Sequence, residues 1–316
     1  MQTDRFERPR WVDSKLYPFD DKWMTIKGHQ IHYVDEGPRD AAVLLFIHPG
    51  AGWSFTYRYH IEKLSKEFRC VAPDMPGYGV SKAAEGYKYT LLEQSHILKL
   101  FVQALDLQKI VVWANDGGGP TAILALASET DRVIGLVVGG TFGWSIKDYP
   151  FVTRMLRLLS SPMFRTVNKY TNFVAKSMGS KLALGARTLT KAELKHYTGP
   201  FENRETRNYT LDLYASFNDS ETQKELDHAL PVFRNKSVLI QFGKGDPMTD
   251  QNWHKRWAKE IPDHRLYILP HVKHFTFEGA PEITVQNFRT WWAELFASGR
   301  GKAIHNDTAQ TARKLV

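Results

Sequence analysis

A carboxylate stands at the tip of a tight turn near the middle of the chain. In KIVVWANDGGGP (residues 109–120), a run of β-branched residues ends in the turn ANDGGG, and a helix-compatible segment, TAILALASE, follows. This order of strand, sharp turn and helix is typical of a nucleophile elbow, and small residues at Ala114 and Gly118 leave room for the turn. Because the residue at the tip is Asp116, we predict attack on a carbon atom and a covalent ester.

Two other polar groups follow predicted strands and can assist that carboxylate. Asp246 comes after LIQF, and His274 comes after YILP. The order nucleophile, acid, histidine is that of an α/β-hydrolase triad. In such a triad a neutral His274 would deprotonate the water that attacks the ester. Asp246 would accept the other ring N–H, which fixes the tautomer and stabilises the imidazolium.

Other residues compete for the two partner roles. His271 is the alternative histidine, but it directly follows a proline and lacks the aromatic neighbours of His274. Asp250 and Asp148 are the alternatives to Asp246, which lies at the usual distance past its strand. We therefore expect Asp246 and His274 to fill these roles.

Hydrolysis of an ester on Asp116 places negative charge on an oxygen, which requires hydrogen-bond donors. The backbone N–H groups of Gly117, directly after the elbow, and of Gly50, after a His-Pro turn, are the expected pair. The intervening Pro49 has no N–H and cannot serve. No spacing of His, Cys, Asp and Glu suggests a metal site, and the mechanism requires no cofactor.

Composition indicates a globular enzyme. The 316 residues are 42% apolar and 24% charged, enough to bury a large core. The net charge of +8 carries no nucleic-acid motif with it, so we attribute it to a solvated basic surface. The single cysteine excludes a disulfide within the chain, and no apolar run has the length of a membrane span. Because the N-terminus lacks an apolar signal core, we expect a cytoplasmic protein acting on a small molecule. The sequence leaves the oligomeric state open.

Strand-like and helix-like segments alternate along most of the chain, which predicts an α/β fold with a mostly parallel sheet flanked by helices. The alternation stops after about Phe142 and resumes after Leu230. We predict an α/β core in residues 1–141 and 231–298, with a helical cap in residues 142–230. Residues 299–316 are expected to form a loosely ordered tail.

The chain resembles the haloalkane dehalogenases and their epoxide-hydrolase relatives. The resemblance extends to about Ala297 and implies the α/β-hydrolase fold and the triad of Asp116, His274 and Asp246. The motifs that carry it are RPRWVDSKLYPFDDKWMTIKGHQIHYVDEG, HPGAGWSFTYRY, DMPGYGVS, the elbow, LTKAELKHYTGPF, GKGDP and HVKHFTFEGAPE.

The resemblance breaks at the leaving-group site. Haloalkane dehalogenases hold the halide with an asparagine in a His-Gly-Asn-Pro turn and with a tryptophan after the nucleophile. Here the corresponding residues are Gly50 and Gly117, which have no side chain. Each donor in a dry site contributes a few kcal/mol, so the loss of both predicts a rate roughly 10⁴-fold lower for dehalogenation. The indole of Trp53 or Trp144 is a candidate replacement, and packing in the core is the alternative for both.

Other functions remain open. Epoxide opening needs an acid for the alkoxide, and the candidate phenols of the predicted cap include Tyr149, Tyr170 and Tyr214. A β-lactone-processing enzyme is a further alternative. Between Arg154 and Lys195 the chain has nine Lys or Arg and one acidic residue, which suits an anionic substrate as well as an apolar one. A non-hydrolytic descendant that only binds ligands is the alternative from another class.

Overall fold

The computed structural model of the protein describes residues 8–185 and 187–297. Its centre is one eight-stranded sheet. The strands are β1 (Lys22–Ile26), β2 (His29–Glu36), β3 (Val43–Ile47), β4 (Arg69–Pro73), β5 (Ile110–Asp116), β6 (Val133–Thr141), β7 (Ser237–Gly243) and β8 (Asp263–Leu269). Their order is β1-β2-β4-β3-β5-β6-β7-β8, with β1 and β2 antiparallel to their neighbours and the rest parallel. The predicted fold class is confirmed.

Strand burial explains this arrangement. All residues of β3 and β7 are buried, as are all but the last of β5, because helices cover both faces of a parallel sheet. Strand β8 lies at an edge, and most of its residues are exposed or half-buried. The central strands therefore form a rigid platform, and their carboxyl ends carry the polar turns found in the sequence.

The helices flank the sheet and fill the long connection between β6 and β7. The α-helices are α1 (Arg58–Leu64), α2 (Leu91–Ala104), α3 (Gly118–Leu126), α4 (Pro150–Leu159), α5 (Pro162–Thr171), α6 (Phe173–Ser177), α7 (Lys181–Leu184), α8 (Lys191–Thr198), α9 (Tyr209–Ser216), α10 (Ser220–Ala229), α11 (Pro247–Asp250), α12 (Trp253–Glu260), α13 (Thr276–Gly279) and α14 (Pro281–Ala297). Short 3₁₀ helices occupy Ser54–Tyr57, Ala127–Arg132, Gly199–Phe201, Thr206–Asn208 and Leu230–Phe233. No helix in the described residues is long and apolar enough to cross a membrane.

The connection between β6 and β7 is helical, as its sequence pattern predicts. Helices α4 to α10 lie in it, and its described residues contain no strand of the sheet and form one isolated bridge, between Gly185 and Val272 outside the strands. Its division from the core at residues 142 and 230 stays a prediction. The tail from residue 299 onward lies outside the described residues.

A buried ion network joins this helical connection to the core. Arg58 on α1 is 4% exposed and donates to Glu278 on α13 at 2.6 and 2.9 Å and to Glu193 on α8 at 2.8 Å. Arg187 also pairs with both glutamates. Burial works against the ionised form of Glu193, but the Thr190 N–H and the two arginines lower its pKa to about 2. The network connects α8 with α1 and α13.

Replacing Arg58 by methionine is expected to lower the free energy of unfolding by about 3 kcal/mol or more. The reason is that two buried carboxylates lose a charged partner, which costs far more than the loss of a surface pair. Denaturant unfolding followed by circular dichroism measures the change. The matched control is Arg132→Met, which breaks the more exposed pairs with Asp106 and Glu129 and should cost about 1 kcal/mol at most. Equal losses in both variants would contradict the prediction.

Candidate active site

The turn after β5 has the backbone conformation of a strained elbow. Asp116 has φ of +51°, in the left-handed region that few residues other than glycine adopt. A Cβ at Gly118 would lie 2.4 Å from the Ile47 carbonyl oxygen, so this position accepts only glycine. The Thr141 hydroxyl donates to the Asp116 carbonyl oxygen at 2.5 Å and helps to hold the turn. The carboxylate is thereby presented at the carboxyl end of the sheet.

The three groups predicted to act together form one hydrogen-bonded row. Nε2 of His274 lies 3.3 Å from Oδ1 of Asp116, and Nδ1 lies 3.1 Å from Oδ1 of Asp246. The same Asp246 oxygen accepts from the Met248 N–H at 2.9 Å, which fixes the carboxylate at the start of α11. The imidazole therefore lies between two carboxylates that come from neighbouring parts of the sheet.

The residue before the elbow holds the histidine loop in place. The Asn115 side-chain amide is buried, donates to the Gly139 carbonyl oxygen, and lies 3.3 Å from the carbonyl oxygen of His274. The sequence alone gave no reason to single out Asn115. Its contacts connect the end of β5 with the end of β6 and with the loop after β8.

The competing residues lie elsewhere. His271 is exposed, in a turn with φ of +61°, and Asp250 and Asp148 are exposed as well. The ring of His274 has its hydrogen bonds to Asp116 and Asp246. The structure thus brings together the favoured set and not the alternatives.

The charges of the row are coupled. Burial opposes the charged form of His274, but the nearby Asp246 and Asp116 carboxylates outweigh it and raise the pKa to about 10. Burial likewise opposes ionisation of Asp116, while His274 and the Gly50 and Gly117 N–H groups lower its pKa. The surroundings of the ring therefore favour the imidazolium form of His274.

Replacing Asp246 by asparagine is expected to lower the pKa of His274, because a carboxylate that favours the cation is removed. The folded-state pKa lies above the ordinary value of 6.5. The pairing therefore stabilises the fold fully below about pH 6.5, and this stabilisation is lost as the pH rises toward about 10. Imidazole NMR titration and unfolding free energies across this range measure both effects. The exposed control Asp250→Asn should leave the titration unchanged, and an unshifted midpoint in Asp246→Asn would contradict the assignment.

Two backbone N–H groups hydrogen-bond the Asp116 carboxylate. The Gly50 N–H donates to Oδ2 at 2.9 Å, and the Gly117 N–H also hydrogen-bonds the carboxylate. Both donors predicted from the sequence are therefore at the carboxylate. Oδ1 faces His274, and Oδ2 accepts from the Gly50 N–H, so the two oxygens have different surroundings.

A tyrosine completes the surroundings of Oδ2. The Tyr214 hydroxyl on α9 donates to Oδ2 at 2.9 Å. Burial and the Asp116 charge raise the pKa of this phenol. A Cβ at Gly50 would lie 2.8 Å from the Tyr214 ring, so the glycine makes room for the tyrosine. A Cβ at Gly117 would meet the side chain of Leu213 at 3.3 Å, which shows that α9 covers this glycine too.

A cavity of about 360 Å³ opens onto Asp116, Tyr214 and His274. Most of the remaining lining is apolar, with no Lys or Arg among the lining residues. The expectation of an anionic substrate held by basic residues is not matched, because Arg154 and Arg157 are exposed on the outside. Apolar lining includes Phe142, Val152, Met155, Leu156, Leu159, Phe164, Phe173, Met178, Phe217, Met248, Trp253 and Phe275.

Two of the proposed wall residues are core residues instead. Trp53 is 1% exposed, and its indole N–H donates to the His196 carbonyl oxygen at 2.8 Å, so it cannot reach a ligand in the cavity. Trp144 is also 1% exposed and packs against Trp253 and Trp257. Neither lines the cavity. The prediction that they form the pocket wall is wrong, because both indoles are buried in the protein interior.

Two of the candidate tyrosines also lie away from the cavity. Tyr170 is 62% exposed on α5, and its ring lies beneath the guanidinium of Arg204. The Tyr149 ring packs against Trp253, and its hydroxyl accepts from Arg256 at 3.3 Å. Of the three predicted tyrosines, Tyr214 alone lines the cavity.

Several cavity residues had no signal in the sequence. Trp253 starts α12 and borders the cavity with its ring, while its Nε1 atom is buried and has no partner in the described residues. Met248 and Phe275 lie within two residues of Asp246 and His274 in the sequence. This proximity was the only sequence feature that could have predicted them as cavity residues. The described residues contain no group of three or more His, Cys, Asp and Glu that could hold a metal ion.

Comparison with known proteins places the molecule in a class. The family model described as the alpha/beta hydrolase fold matches residues 42–281. The chain belongs to the α/β-hydrolase fold family.

Its relatives within that family are more specific. Haloalkane dehalogenase 2 of Mycobacterium tuberculosis is 30% identical over 283 residues, covering 85% of this chain and 94% of the relative. A cis-3-alkyl-4-alkyloxetan-2-one decarboxylase of Shewanella oneidensis is 25% identical over 293 residues, covering 88% and 90%. The crystal structure of a haloalkane dehalogenase from Bradyrhizobium elkani matches with a TM-score of 0.77 at 21% identity, covering 89% and 99%. The chain is similar to haloalkane dehalogenases over most of its length.

Proposed function

We propose that the protein is a hydrolase that opens a ring C–O bond in an apolar substrate, an epoxide in the first place, through a covalent ester on Asp116. The observation that carries this proposal is the hydrogen bond from the Tyr214 hydroxyl to Asp116 Oδ2. It places a hydroxyl that can donate a proton beside the attacking carboxylate, and the apolar cavity supplies the binding surface.

The attack begins at Oδ1 of Asp116. This oxygen faces Nε2 of His274, whereas Oδ2 is held by the Gly50 N–H and the Tyr214 hydroxyl. Oδ1 forms a bond to a ring carbon, the ring C–O bond breaks, and its electron pair goes to the ring oxygen. The pKa of Asp116 is lowered from its usual range, which keeps the carboxylate ionised and nucleophilic at neutral pH.

The proton for the ring oxygen comes from Tyr214. Its raised pKa makes it a weak acid in the resting site, partly because of the charge on Asp116. Ester formation removes that charge, so the phenol becomes a stronger acid as the C–O bond breaks. The hydroxyl turns from Oδ2 to the ring oxygen and donates its proton there. The acidity of Tyr214 therefore depends on whether Asp116 is ionised or esterified.

The second half of the reaction hydrolyses the ester. Neutralising Asp116 also removes part of the attraction that raises the pKa of His274, so the imidazolium loses its proton more easily. The tyrosinate of the first step is the acceptor for that proton, directly or through water. Neutral His274 then takes a proton from a water that attacks the ester carbonyl carbon, and Asp246 stabilises the imidazolium. The N–H groups of Gly50 and Gly117 stabilise the oxyanion. Its collapse breaks the ester C–O bond, and the departing alkoxide takes the remaining proton of the attacking water from the new carboxyl group, which gives the diol and ionised Asp116.

An oxygen leaving group fits this site better than a halide. The resemblance to haloalkane dehalogenases implies side-chain donors at positions 50 and 117, and both residues are glycine. Trp53 and Trp144 do not line the cavity, and the Nε1 atom of Trp253, which does line it, is buried. A halide would find few donors, whereas a ring oxygen can take a proton from Tyr214.

A β-lactone is the second candidate substrate, supported by the similarity to a protein named as a cis-3-alkyl-4-alkyloxetan-2-one decarboxylase. Such a lactone also loses a ring C–O bond, and apolar cavity residues suit its alkyl groups. The deciding experiment is a panel of epoxides, β-lactones, haloalkanes and activated esters, with diol, halide and acid measured separately. Fast halide release would overturn the proposal, and tight binding without any product would favour a ligand-binding role.

Replacing Tyr214 by phenylalanine is expected to slow epoxide opening by a factor of about 10² to 10⁴, the usual contribution of a general acid. Hydrolysis of an activated ester, which needs no acid for its leaving group, should fall far less. Steady-state kinetics on both substrates measures the difference.

The matched control is Tyr149→Phe, which removes the hydroxyl of a tyrosine outside the cavity. It should leave both rates within about twofold of wild type, as is usual for a change that touches no reacting group. An equal fall on both substrates in Tyr214→Phe would show that the phenol only holds Asp116, and would remove the support for an epoxide.

A further inference from the structure

Exposed apolar side chains are concentrated on one part of the surface. Eleven large apolar side chains are exposed in the described part of the chain, and seven of them lie within residues 151–182. We call these seven, together with the cations among them, the apolar outer face. They are Phe151, Leu158, Met163, Val167, Tyr170, Phe173 and Leu182. A concentration of exposed apolar side chains of this kind is typical of an interaction surface.

Helix α5 shows that the pattern is regular. Met163, Val167 and Tyr170 follow one another at spacings of four and three residues, which puts them on one side of the helix. Met163 is 71% exposed. The adjacent side carries Phe164, which lines the cavity, and Asn168, which is buried. The helix thus has one apolar side toward the cavity and another toward the outside.

Helix α4 repeats the arrangement. Phe151, Arg154 and Leu158 are exposed at spacings of three and four residues. Val152 and Leu156 are buried on the inner side. The inner side packs on the core, and the exposed Phe151 and Leu158 are not part of that packing.

The unpaired charges of this surface are positive, while Arg165 and Lys169 pair with Asp212 and Glu205. From residue 149 to residue 192 the sequence has no Asp or Glu. Arg154, Arg157, Lys176 and Lys181 are exposed there, and none forms an ion pair with a carboxylate of the described residues. Apolar side chains interspersed with cations are typical of helices that lie in the interface of an anionic membrane.

We propose that the apolar outer face binds the surface of an anionic phospholipid membrane. The apolar side chains enter the interface, and the four unpaired cations contact lipid phosphates. A second copy of the chain is a poorer occupant, because two such faces would bring like charges together. No described helix can span a bilayer, so the binding is peripheral.

This orientation connects the membrane with the cavity. Phe173 and Leu182 are 51% and 79% exposed, and both also line the cavity. The cavity mouth therefore lies within the apolar outer face. An apolar compound dissolved in the bilayer would reach Asp116 without crossing bulk water. This consequence rests on the proposed function, whereas membrane binding itself does not.

The test is cosedimentation of the full chain with vesicles, measured without substrate. Wild type is expected to bind vesicles of phosphatidylglycerol and phosphatidylcholine in equal parts, and to bind pure phosphatidylcholine far less. Arg154→Gln combined with Arg157→Gln should weaken binding about 25-fold, since each cation near an anionic surface contributes a factor of about five. The control is Lys66→Gln combined with Lys82→Gln, which has the same charge change elsewhere.

Apolar contributions are tested separately with Leu158→Ser, Met163→Ser and Val167→Ser combined, none of which lines the cavity. The control is Val232→Ser with Ile283→Ser, exposed positions outside the face. At least a tenfold loss in the first variant alone supports the proposal, with circular dichroism verifying the fold. Absent vesicle binding, equal effects of test and control variants, or a dimer dissolved by the same substitutions would overturn it. None of these outcomes bears on the chemistry at Asp116.

Discussion

Replacing Asp116 by alanine is expected to lower turnover of any accepted substrate by a factor on the order of 10⁴ or more. The nucleophile is removed, and the remaining groups act only as donors and as a base, which leaves a small residual acceleration. The measurement is kcat on the best substrate of the panel, with ligand binding followed in parallel.

The cavity of this variant keeps its apolar lining, so the dissociation constant of a product or inhibitor should change little. Unchanged turnover in Asp116→Ala would exclude a covalent ester at this position. A variant that also loses binding would instead indicate a disturbed elbow, and the pH-dependent unfolding of wild type and variant would separate the two cases. The elbow is sensitive because Asp116 has a positive φ, which alanine tolerates poorly.

Replacing His274 by asparagine is expected to stop the reaction after its first half. Attack by Asp116 does not need a base, so the ester forms, while its hydrolysis slows by about 10³-fold or more without proton removal from water. Incubation with substrate should therefore add mass to the peptide that contains Asp116, detected by mass spectrometry after proteolysis.

The size of the added mass identifies the substrate class. An epoxide or a β-lactone adds all of its atoms, because the broken ring bond leaves both halves attached. A haloalkane adds only its alkyl group, because the halide departs. His271→Asn is the matched control, since this histidine is exposed and outside the row, and it should turn over normally without a trapped ester. Trapped mass on any other peptide would contradict Asp116 as the nucleophile.

Local sequence was enough to predict the architecture and the polar row. The β-branched run before the turn ANDGGG predicted β5 and its elbow, because a tight turn after a buried strand needs small residues. Asp246 and His274 were found for the same reason, as polar residues directly after apolar strands. Strands β5 to β8 are parallel and lie side by side, so their carboxyl ends are at one edge of the sheet. The residues that follow β5, β7 and β8 therefore lie close together.

The predictions of pocket residues were wrong where a side chain's position depends on how the long helical connection packs on the core. Trp53 and Tyr170 were selected for their proximity in sequence to the pocket or for their side-chain type, and neither property determines where a side chain points. Trp53 found a partner in His196, which is 143 residues away. Tyr170 is on the outer side of an amphipathic helix, and no periodicity in the sequence distinguishes the outer apolar side of α5 from the inner one.

The sequence by itself determined that Asp116 stands at an elbow, that Asp246 and His274 follow strands, and that positions 50 and 117 have no side chain. Strand, turn and residue type are local properties, and one chain segment is enough to specify them. Only the tertiary structure decided what fills the space beside those glycines. Tyr214 is 98 residues from Asp116, and its contact with the carboxylate exists because α9 packs over the elbow. Such a contact depends on packing between distant segments, which no local pattern encodes.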